Sequence, residues 1–316
     1  MSYPGVAIII LNWNGLNDTI ECLASLRKIS YPSYEVILVD NGSVGNDVEV
    51  LKEKFGDYIH MIKNERNYGF AEGCNIGMRY AMENQSPDYI LLLNNDTVVD
   101  TNFLTELVKA AETNNRIGIA GSKTYFFSEP NRLQTAGARI RWYSGETALI
   151  GWGEIDKGQF DEIRQVEWVI GCSLLIKREV VEDIGLLYPA YFAYFEEAEW
   201  CVKCRKAGYS VVFVPGSKVW HKGKITAGRI NRIHLYFMTR NQFLFMKRNA
   251  SRLQFGSFFV QFFLLRVPST TVLIMRQGDL ESLRVFYKAT LHGLALLLRH
   301  SNEESRRGSY DNMLKH

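Results

Sequence analysis

Short apolar runs alternate with segments of helical periodicity along the first part of the chain. The runs Val6–Leu11 and Ile90–Leu93 contain no polar residue, which is typical of strands buried on both faces of a parallel sheet. Further strands are predicted at Tyr34–Val39, near Tyr58–Ile62 and at Ile117–Ala120. Helical periodicity fills the intervals, in segments that end near residues 30, 55, 84 and 114. This alternation predicts βαβ units and an α/β fold with a mainly parallel sheet.

The pattern changes after residue 121. Segments rich in Gly, Trp and Tyr predict irregular strands and loops over the sheet edge, followed by strands at Leu174–Lys177 and Tyr209–Val214. Residues 231–300 are helical in pattern and apolar on one side. Within them, Leu253–Met275 is apolar but interrupted by Arg266 and Pro268, which predicts an interfacial amphipathic segment rather than a transmembrane span. The alternative is a helical subdomain or oligomer interface.

Polar side chains directly follow three of the predicted strands. Asn94–Asp96 follow Ile90–Leu93, whereas Asn12 and Asp40 end the first two strands. Parallel sheets bind ligands in the crevice beyond the carboxyl ends of their strands. Oxygen atoms there suit Mg²⁺ or Mn²⁺ together with a diphosphate. Two structural alternatives stay open: Asn94–Asp96 as a helix N-cap, and Asp40–Gly42 as a plain turn.

Missing motifs and cysteine usage narrow the class of protein. No G-x-G-x-x-G follows the first strand and no G-x-x-x-x-G-K-[ST] occurs, which disfavours a dinucleotide-binding fold and a P-loop NTPase. The five cysteines are scattered, and the pair Cys201 and Cys204 has no second pair or nearby His to complete a zinc site. They predict a reduced, cytosolic protein. Met1–Ile10 lacks the basic region and cleavage site of a signal peptide.

The net charge of +3 conceals a strong asymmetry between the two ends of the chain. Residues 1–215 carry 20 Lys and Arg against 29 Asp and Glu, whereas residues 216–316 carry 17 against 5. The C-terminal third is therefore expected to face an anionic partner, either phospholipid or nucleic acid. Nucleic acid is disfavoured, because the basic region lacks interleaved aromatics on a recognisable module.

A cluster of carboxylates follows an aromatic stretch. Tyr191–Phe195 leads into Glu196, Glu197 and Glu199, which open a predicted helix that ends at Gly208. Acidic residues in a first turn commonly complement the helix dipole. A carboxylate next to an aromatic wall is also where a raised pKa and general-base chemistry are expected. Two single residues likewise keep two interpretations: Trp168 as a sugar-stacking or a core residue, and His221 as a ligand or a structural histidine.

Taken in order, these segments resemble the inverting family 2 nucleotide-sugar glycosyltransferases of the GT-A fold, most closely their rhamnosyltransferase-like branch. The resemblance covers roughly residues 5–250 and rests on Asn12–Asn14, Asp40–Ser43, Asn67–Asn75, Leu93–Asp96, Gly171–Cys172, Phe195–Glu199 and His221. It implies a GT-A sheet flanked by helices, with a Rossmann-like nucleotide-binding half. It also implies a C-terminal helical extension beyond the catalytic fold.

The same resemblance implies roles for individual residues. Donor-binding residues would be Asn12, Asn14, Asp40, Asn41, Asn67, Gly69, Phe70, Gly73, Asn75, Asn94 and Asn95, with Asp40 at the nucleotide base. Asp96 and His221 would bind Mg²⁺ or Mn²⁺, helped by Asn94. Trp168, Gly171, Cys172 and Glu196 would lie on the acceptor side. Glu197 would be the general base, although Glu stands there and at Glu199 where the family has Asp.

The resemblance also sets expectations for domains and partners. A glycosyltransferase domain would cover residues 1–228, with a nucleotide-sugar half (1–121) and an acceptor half (122–228), and a basic helical extension would cover 229–316. The donor would be a dTDP- or UDP-sugar and the acceptor a glycan or lipid-linked glycan. A single sugar would be transferred, because the Gln-x-x-Arg-Trp motif of processive synthases is absent. Residues 229–300 would contact the inner face of the cell membrane or form a homo-oligomer. The rivals are a catalytically silent scaffold and a sugar-1-phosphate nucleotidyltransferase.

Overall fold

The computed structural model describes residues 3–223 and 231–298, which form twelve strands and ten α-helices. The strands are β1 Val6–Asn12, β2 Tyr34–Asp40, β3 Ile59–Lys63, β4 Tyr89–Asn94, β5 Thr97–Val99, β6 Ile117–Phe126, β7 Glu129–Thr135, β8 Ala138–Arg141, β9 Glu146–Leu149, β10 Arg164–Gln165, β11 Ser173–Lys177 and β12 Ser210–His221. The helices are α1 Leu16–Leu26, α2 Asp47–Phe55, α3 Gly69–Asn84, α4 Phe103–Glu112, α5 Arg178–Ile184, α6 Glu196–Lys206, α7 Arg232–Asn249, α8 Arg252–Gln261, α9 Val267–Arg276 and α10 Leu280–Leu298.

The first of two compact units contains residues 3–139, 149–187 and 200–223 and is built around one large sheet. Its strand order is β10-β12-β6-β11-β4-β1-β2-β3, with β5 paired to β12 and β7 paired to β6. Strands β4, β1, β2 and β3 run parallel, whereas β11 is antiparallel to both neighbours. The predicted α/β class, with a mainly parallel sheet flanked by helices, is confirmed.

Complete burial of the central strands explains their unbroken apolar sequence. Ile8, Leu38 and Leu91 are inaccessible to solvent and belong to one hydrophobic core. Helix α3 lies so close to the sheet that a Cβ on Gly77 would come 2.6 Å from Cγ2 of Ile9. Because the strands end together, their terminal polar residues are brought to one edge of the sheet.

The described part of the second unit comprises residues 140–148, 188–199 and 231–298. Helix α10 packs along α7, where Gly293 makes room for the Phe243 ring and Tyr236 bonds His292. The predicted helical character of the C-terminal region is confirmed over these residues. Residues 229–230 and 299–316 of the predicted extension lie outside the described ranges.

The helix continues through Arg266 and Pro268, the two residues that interrupt the apolar run in the sequence. A π-helical turn at Phe262–Arg266 joins α8 to α9, and Pro268 occupies the first turn of α9, where proline is tolerated. The continuous helix Arg252–Arg276 is therefore long and apolar enough to cross a membrane, and is the one such helix among the described residues. Leu253, Leu264 and Leu265 are more than half exposed along it.

Candidate active site

The turn between β4 and β5 brings Asp96 against His221. Strand β5 pairs antiparallel with the end of β12, so His221 lies opposite Thr97. His221 Nε2 is consequently 3.1 Å from Asp96 Oδ1. Because a strand and not a helix follows Asp96, the N-cap interpretation of Asn94–Asp96 is excluded.

Three atoms at this place are of the kinds that bind divalent cations: Asp96 Oδ1, His221 Nε2 and Asn94 Oδ1. Asn94 Oδ1 is buried without a hydrogen-bond partner, and Asn94 Nδ2 lies 3.3 Å from His221 Nε2. Gln134 Oε1 is 2.9 Å from His221 Nδ1, so a neutral His221 with its proton on Nδ1 would offer the Nε2 lone pair to a cation in place of the proton that Nε2 shares with Asp96. Within the described ranges, no group of three or more His, Cys, Asp or Glu is placed to hold a metal ion by itself. The residues therefore fit a metal that takes its remaining ligands from a bound diphosphate and water.

Electrostatics keep Asp96 ionised at this site. Burial raises the pKa of its carboxyl, but the hydrogen bond and charge of His221, with backbone N–H groups including that of Gly223, outweigh burial and hold the pKa below its ordinary value. Asp96 thus offers a carboxylate over the whole physiological pH range.

The ends of β1 and β2 are locked together by Asn12 and Asp40, both fully buried. Asn12 Nδ2 donates to Asp40 Oδ1 at 2.9 Å and to Asp47 Oδ2 at 3.0 Å. The other oxygen of Asp40 accepts from the Ser43 backbone N–H at 3.0 Å. The structure thus gives Asp40 a supporting role in the strand ends, and both of its oxygens are engaged within the protein.

An open cavity of about 450 Å³ lies next to these strand ends. Asn14 has a left-handed backbone (φ 51°) and its Oδ1 accepts from the Val44 N–H at 2.7 Å. The cavity is lined by Asn14, Gly15, Leu16, Asn17, Asp18, Val44 and Asp47. Of these, only Asn14 was predicted from the sequence.

Asn41 organises the segment predicted to lie beside the nucleotide. Its Nδ2 donates to Asn67 Oδ1 at 2.9 Å and to the Gly69 carbonyl at 3.1 Å. Gly69 starts α3 with φ 84°, a conformation that favours glycine. Phe70 beside it is half-buried. Asn95 Nδ2 donates to Thr19 Oγ1 at 2.9 Å and so links the end of β4 to α1.

Two residues predicted to bind the nucleotide-sugar donor, Gly73 and Asn75, make packing contacts and hydrogen bonds within the protein. Gly73 lets α3 approach Leu11, whose Cδ1 would lie 2.5 Å from an added Cβ. Asn75 is buried, donates to the Leu187 carbonyl and accepts from the Leu187 N–H. Both residues thus have structural contacts that account for their identity, and their contact with the donor stays a prediction.

The predicted acceptor-side residues of the first unit are also buried. Trp168 is 6 % exposed, and its Nε1 donates to the Arg139 carbonyl. The indole is therefore largely enclosed by the protein, as a core residue is, and its acceptor-side role stays a prediction. Gly171 is buried, and the Cys172 carbonyl accepts from the Asn94 N–H at 3.2 Å. Gly171–Cys172 thus supports the backbone of Asn94.

Within the second unit, the carboxylates Glu196 and Glu197 open helix α6 in different surroundings. Glu196 is 3 % exposed, whereas Glu197 is half-buried. Burial first, and then the charge of Glu197, raise the pKa of Glu196 well above its ordinary value. Glu197 is the more accessible of the two carboxyls and is therefore the better candidate for removing a proton from an acceptor.

Sequence reasoning missed two residues next to His221. Gln134 was hidden in the irregular region that precedes β8, and no sequence signal identifies it. Lys222 follows His221, and its Nζ lies 2.6 Å from both Asp18 Oδ1 and Glu21 Oε2 of α1. Its position directly after His221 could have identified Lys222 from the sequence, because a cation is chemically expected beside a candidate diphosphate site.

A family model described as glycosyl transferase family 2 matches residues 7–185. The chain belongs to this family. It is therefore a glycosyltransferase of the rhamnosyltransferase-like type. It is 25 % identical to the dTDP-rhamnosyl transferase of Shigella flexneri over 86 % of this chain and 90 % of that protein. It is 24 % identical to the N-acetylglucosaminyl-diphospho-decaprenol L-rhamnosyltransferase of Mycobacterium tuberculosis over 71 % of this chain and 78 % of that protein.

Two solved structures share the fold of this family 2 member. GalNAc-T7 with UDP, GalNAc and Mn²⁺ aligns with a TM-score of 0.58 and 20 % identity, covering 69 % of this chain and 44 % of that chain. A mannosyltransferase from Pyrobaculum calidifontis with GDP-Man and Mn²⁺ aligns with a TM-score of 0.58 and 14 % identity, covering 95 % and 82 %. The predicted GT-A fold is thereby confirmed.

Proposed function

We propose that this protein is an inverting, non-processive glycosyltransferase that moves one sugar from a nucleotide diphosphate to an acceptor hydroxyl. The observation that carries the proposal is the convergence of Asp96, His221 Nε2 and the unpaired Asn94 Oδ1 at the end of the parallel strands. Cation ligands at that edge match a diphosphate leaving group. Cell-surface polysaccharide synthesis is the setting in which such transfers onto glycans occur.

In the proposed reaction, Glu197 removes the acceptor hydroxyl proton as that oxygen bonds the anomeric carbon. The bond from this carbon to the diphosphate oxygen breaks, and the nucleoside diphosphate leaves with the electron pair. A single displacement from the opposite face inverts the anomeric configuration. A Mg²⁺ or Mn²⁺ ion held by Asp96, His221 and Asn94 would supply the positive charge that stabilises the leaving diphosphate.

The other site residues receive supporting roles in the proposal. Asn14, Asn67, Gly69, Phe70 and Asn95 border the donor, and Asn12, Asp40 and Asn41 hold that border in place through the hydrogen bonds described above. Gly171 and Cys172 support Asn94, while Glu196 supports Glu197 on the acceptor side. Lys222, the neighbour of His221, is ion-paired with Asp18 and Glu21 and so ties the end of β12 to α1.

We further propose a dTDP- or UDP-sugar as donor, with rhamnose as the first sugar to test, and a lipid-linked glycan as acceptor. Two named relatives support this choice: one is a dTDP-rhamnosyl transferase, and the other acts on a diphospho-decaprenol. A catalytically silent scaffold is the rival proposal, because Glu stands where the family's general base is Asp.

The C-terminal helices are proposed as a peripheral contact with the inner face of the cell membrane. Exposed Leu253, Leu264 and Leu265, with Arg252 and Arg276 at the ends of the apolar stretch, support this proposal. The alternative to a membrane contact is a homo-oligomer interface through the same helices. The proposed domains are the glycosyltransferase domain 1–228, with halves 1–121 and 122–228, and the helical extension 229–316. Binding to anionic vesicles that is lost in Leu264→Glu would support the membrane contact, whereas salt-independent dimerisation would support the alternative.

The transfer proposal is tested with dTDP-rhamnose and a short-chain lipid-linked N-acetylglucosaminyl diphosphate. Wild-type protein should add one sugar, seen as a single mass increment, with inverted anomeric configuration by NMR. Glu197→Gln should bind dTDP as tightly as wild type but lose about 10²–10⁴-fold in turnover. Nucleotide binding without transfer to any acceptor, or to water, by the wild type would favour the silent scaffold.

A further inference from the structure

The segment that carries the proposed base is backbone-strained. Phe192, Tyr194 and Phe195 have φ values of 66°, 69° and 78°, in the left-handed region that residues with side chains seldom adopt. Such a segment keeps its conformation only where surrounding contacts fix it. Glu196 and Glu197 follow immediately, so the conformation of this segment sets where their carboxylates lie.

Asn241 of α7 supplies the most direct of these contacts. Its side chain is fully buried, and its Nδ2 lies 2.9, 2.7 and 2.8 Å from the carbonyl oxygens of Tyr191, Ala193 and Tyr194. The adjacent Arg240 adds hydrogen bonds from Nη2 to the Ala190 and Tyr191 carbonyls. One side-chain amide therefore contacts three backbone carbonyls of the segment, of which that of Tyr191 also accepts from the Ala193 N–H.

The rest of the same α7 face contacts the same segment. His234, Phe237, Asn241, Phe245 and Arg248 recur at helical spacing and so lie on one face. Phe237 stacks on Phe192 with ring centres 5.1 Å apart, and Phe245 contacts Phe195 at 5.3 Å. His234 meets the edge of Tyr194 at 4.9 Å. Arg248 Nε donates to Glu199 Oε1 at 2.7 Å, beyond the strained residues.

We infer that this face of α7 is a template that positions Glu197, with Asn241 as its central positioning residue. The inference rests on the proposed function for the catalytic meaning of Glu197. Asn241 itself does not touch substrate. Its amide holds the Tyr191–Phe195 backbone, and that backbone sets the direction in which α6 begins. Loss of the amide should release the segment and displace the carboxylate, and displacements of about 1 Å can lower turnover by about 10²-fold.

Gln242 offers a matched control on the same helix. It is also fully buried, but its Nε2 donates to the Ser144 carbonyl at 2.9 Å, away from the base-bearing segment. Asn241→Ala and Gln242→Ala thus each remove a buried amide from neighbouring positions. Gln242→Ala also removes the acceptor of Arg266 Nη1 and should cost at least as much stability as Asn241→Ala, whereas loss of positioning would appear only in Asn241→Ala.

The first readout is hydrogen exchange of the amides of residues 192–199, which requires no substrate. Asn241→Ala should exchange there at least about 10-fold faster than wild type, and Gln242→Ala less than about 2-fold faster. Equal acceleration in both variants, or none in Asn241→Ala, would overturn the inference. If Asn241→Ala does not fold, Asn241→Ser, which keeps one donor, enters the same comparison with an expected increase of at least about 3-fold.

The second readout is transfer from dTDP-rhamnose. For Asn241→Ala, kcat should fall about 10–100-fold while the affinity for dTDP changes less than about 2-fold. Unchanged kcat together with faster exchange would overturn the positioning role. The Glu197→Gln variant separates this outcome from failure of the proposed function: if it turns over like wild type, the proposed base is wrong, whatever the exchange data show for Asn241.

Discussion

His221 Nε2 and Asp96 Oδ1 lie 3.1 Å apart, although the two residues are far apart in the sequence. The antiparallel register of β5 on β12 creates this contact by setting His221 opposite Thr97. A shift of one residue in that register would turn His221 to the other face of the sheet. The proposed metal site therefore depends on strand pairing as much as on the identity of its ligands.

Gln134 should tune the metal affinity of His221. Its Oε1 lies 2.9 Å from His221 Nδ1, and outer hydrogen-bond partners of ligating histidines typically contribute about 10–100-fold in metal affinity. We expect Gln134→Leu to weaken Mn²⁺ binding in the presence of dTDP by about 10-fold or more, measured by calorimetry. Gln165→Leu, on exposed β10, is the control and should bind as wild type; equal affinity in the two variants would remove Gln134 from the site.

Glu196 should make stability fall as the pH rises. Burial and the charge of Glu197 raise the pKa of Glu196 in the folded state above the ordinary value of 4.5. Its contribution is therefore fully present below the unfolded-state pKa and is lost as the pH rises through the folded-state pKa. Glu196→Gln cannot ionise, so this variant should not lose stability at position 196 as the pH rises.

The measurement for Glu196 is the melting temperature as a function of pH. The difference between Glu196→Gln and wild type should be smallest near and below pH 4.5 and should grow in favour of the variant as the pH rises. Parallel curves for the two proteins would show that Glu196 titrates normally in the folded state.

Much of the fold was predictable, because buried parallel strands such as Ile90–Leu93 carry an unbroken apolar pattern that few other structures produce. The pairing of Asp96 with His221 was reached only through the family resemblance, since nothing local to either residue reveals strand register. The template face of α7 escaped prediction for a similar reason. Asn241 resembles an ordinary polar helix residue until the partner carbonyls, distant in sequence, are known.

The polarity of Asn12, Asp40 and Asn75 suggested ligand contact, yet their side chains form hydrogen bonds to other groups of the protein. Polar residues at strand ends serve two purposes, ligand binding and satisfaction of buried hydrogen bonds. Sequence alone does not separate the two, because the separation depends on which atoms face the crevice.

Two helix glycines should respond to alanine in opposite directions. A Cβ on Gly77 would lie 2.6 Å from Ile9 Cγ2 and 3.1 Å from Val39 Cγ2, both on stiff, buried side chains. We expect Gly77→Ala to destabilise the protein by about 1–3 kcal/mol. Gly256 of α8 has nothing within 4 Å of its added Cβ, so Gly256→Ala should stabilise by about 0.5–1 kcal/mol.

Urea unfolding of the two glycine variants provides the comparison. The unfolding midpoint should move down for Gly77→Ala and up for Gly256→Ala relative to wild type. A midpoint for Gly77→Ala at or above that of wild type would mean that α3 does not pack as closely on β1 and β2 as described.

The most direct test of the account is calorimetric titration of dTDP, UDP and GDP, each in Mn²⁺ and in EDTA, into wild type and Asp96→Ala. The account predicts that dTDP or UDP binds the wild type in Mn²⁺, and that EDTA and Asp96→Ala each reduce the affinity at least about 10-fold. Absence of binding by every nucleotide in Mn²⁺ would contradict the central claim. So would binding of equal strength with EDTA or without Asp96.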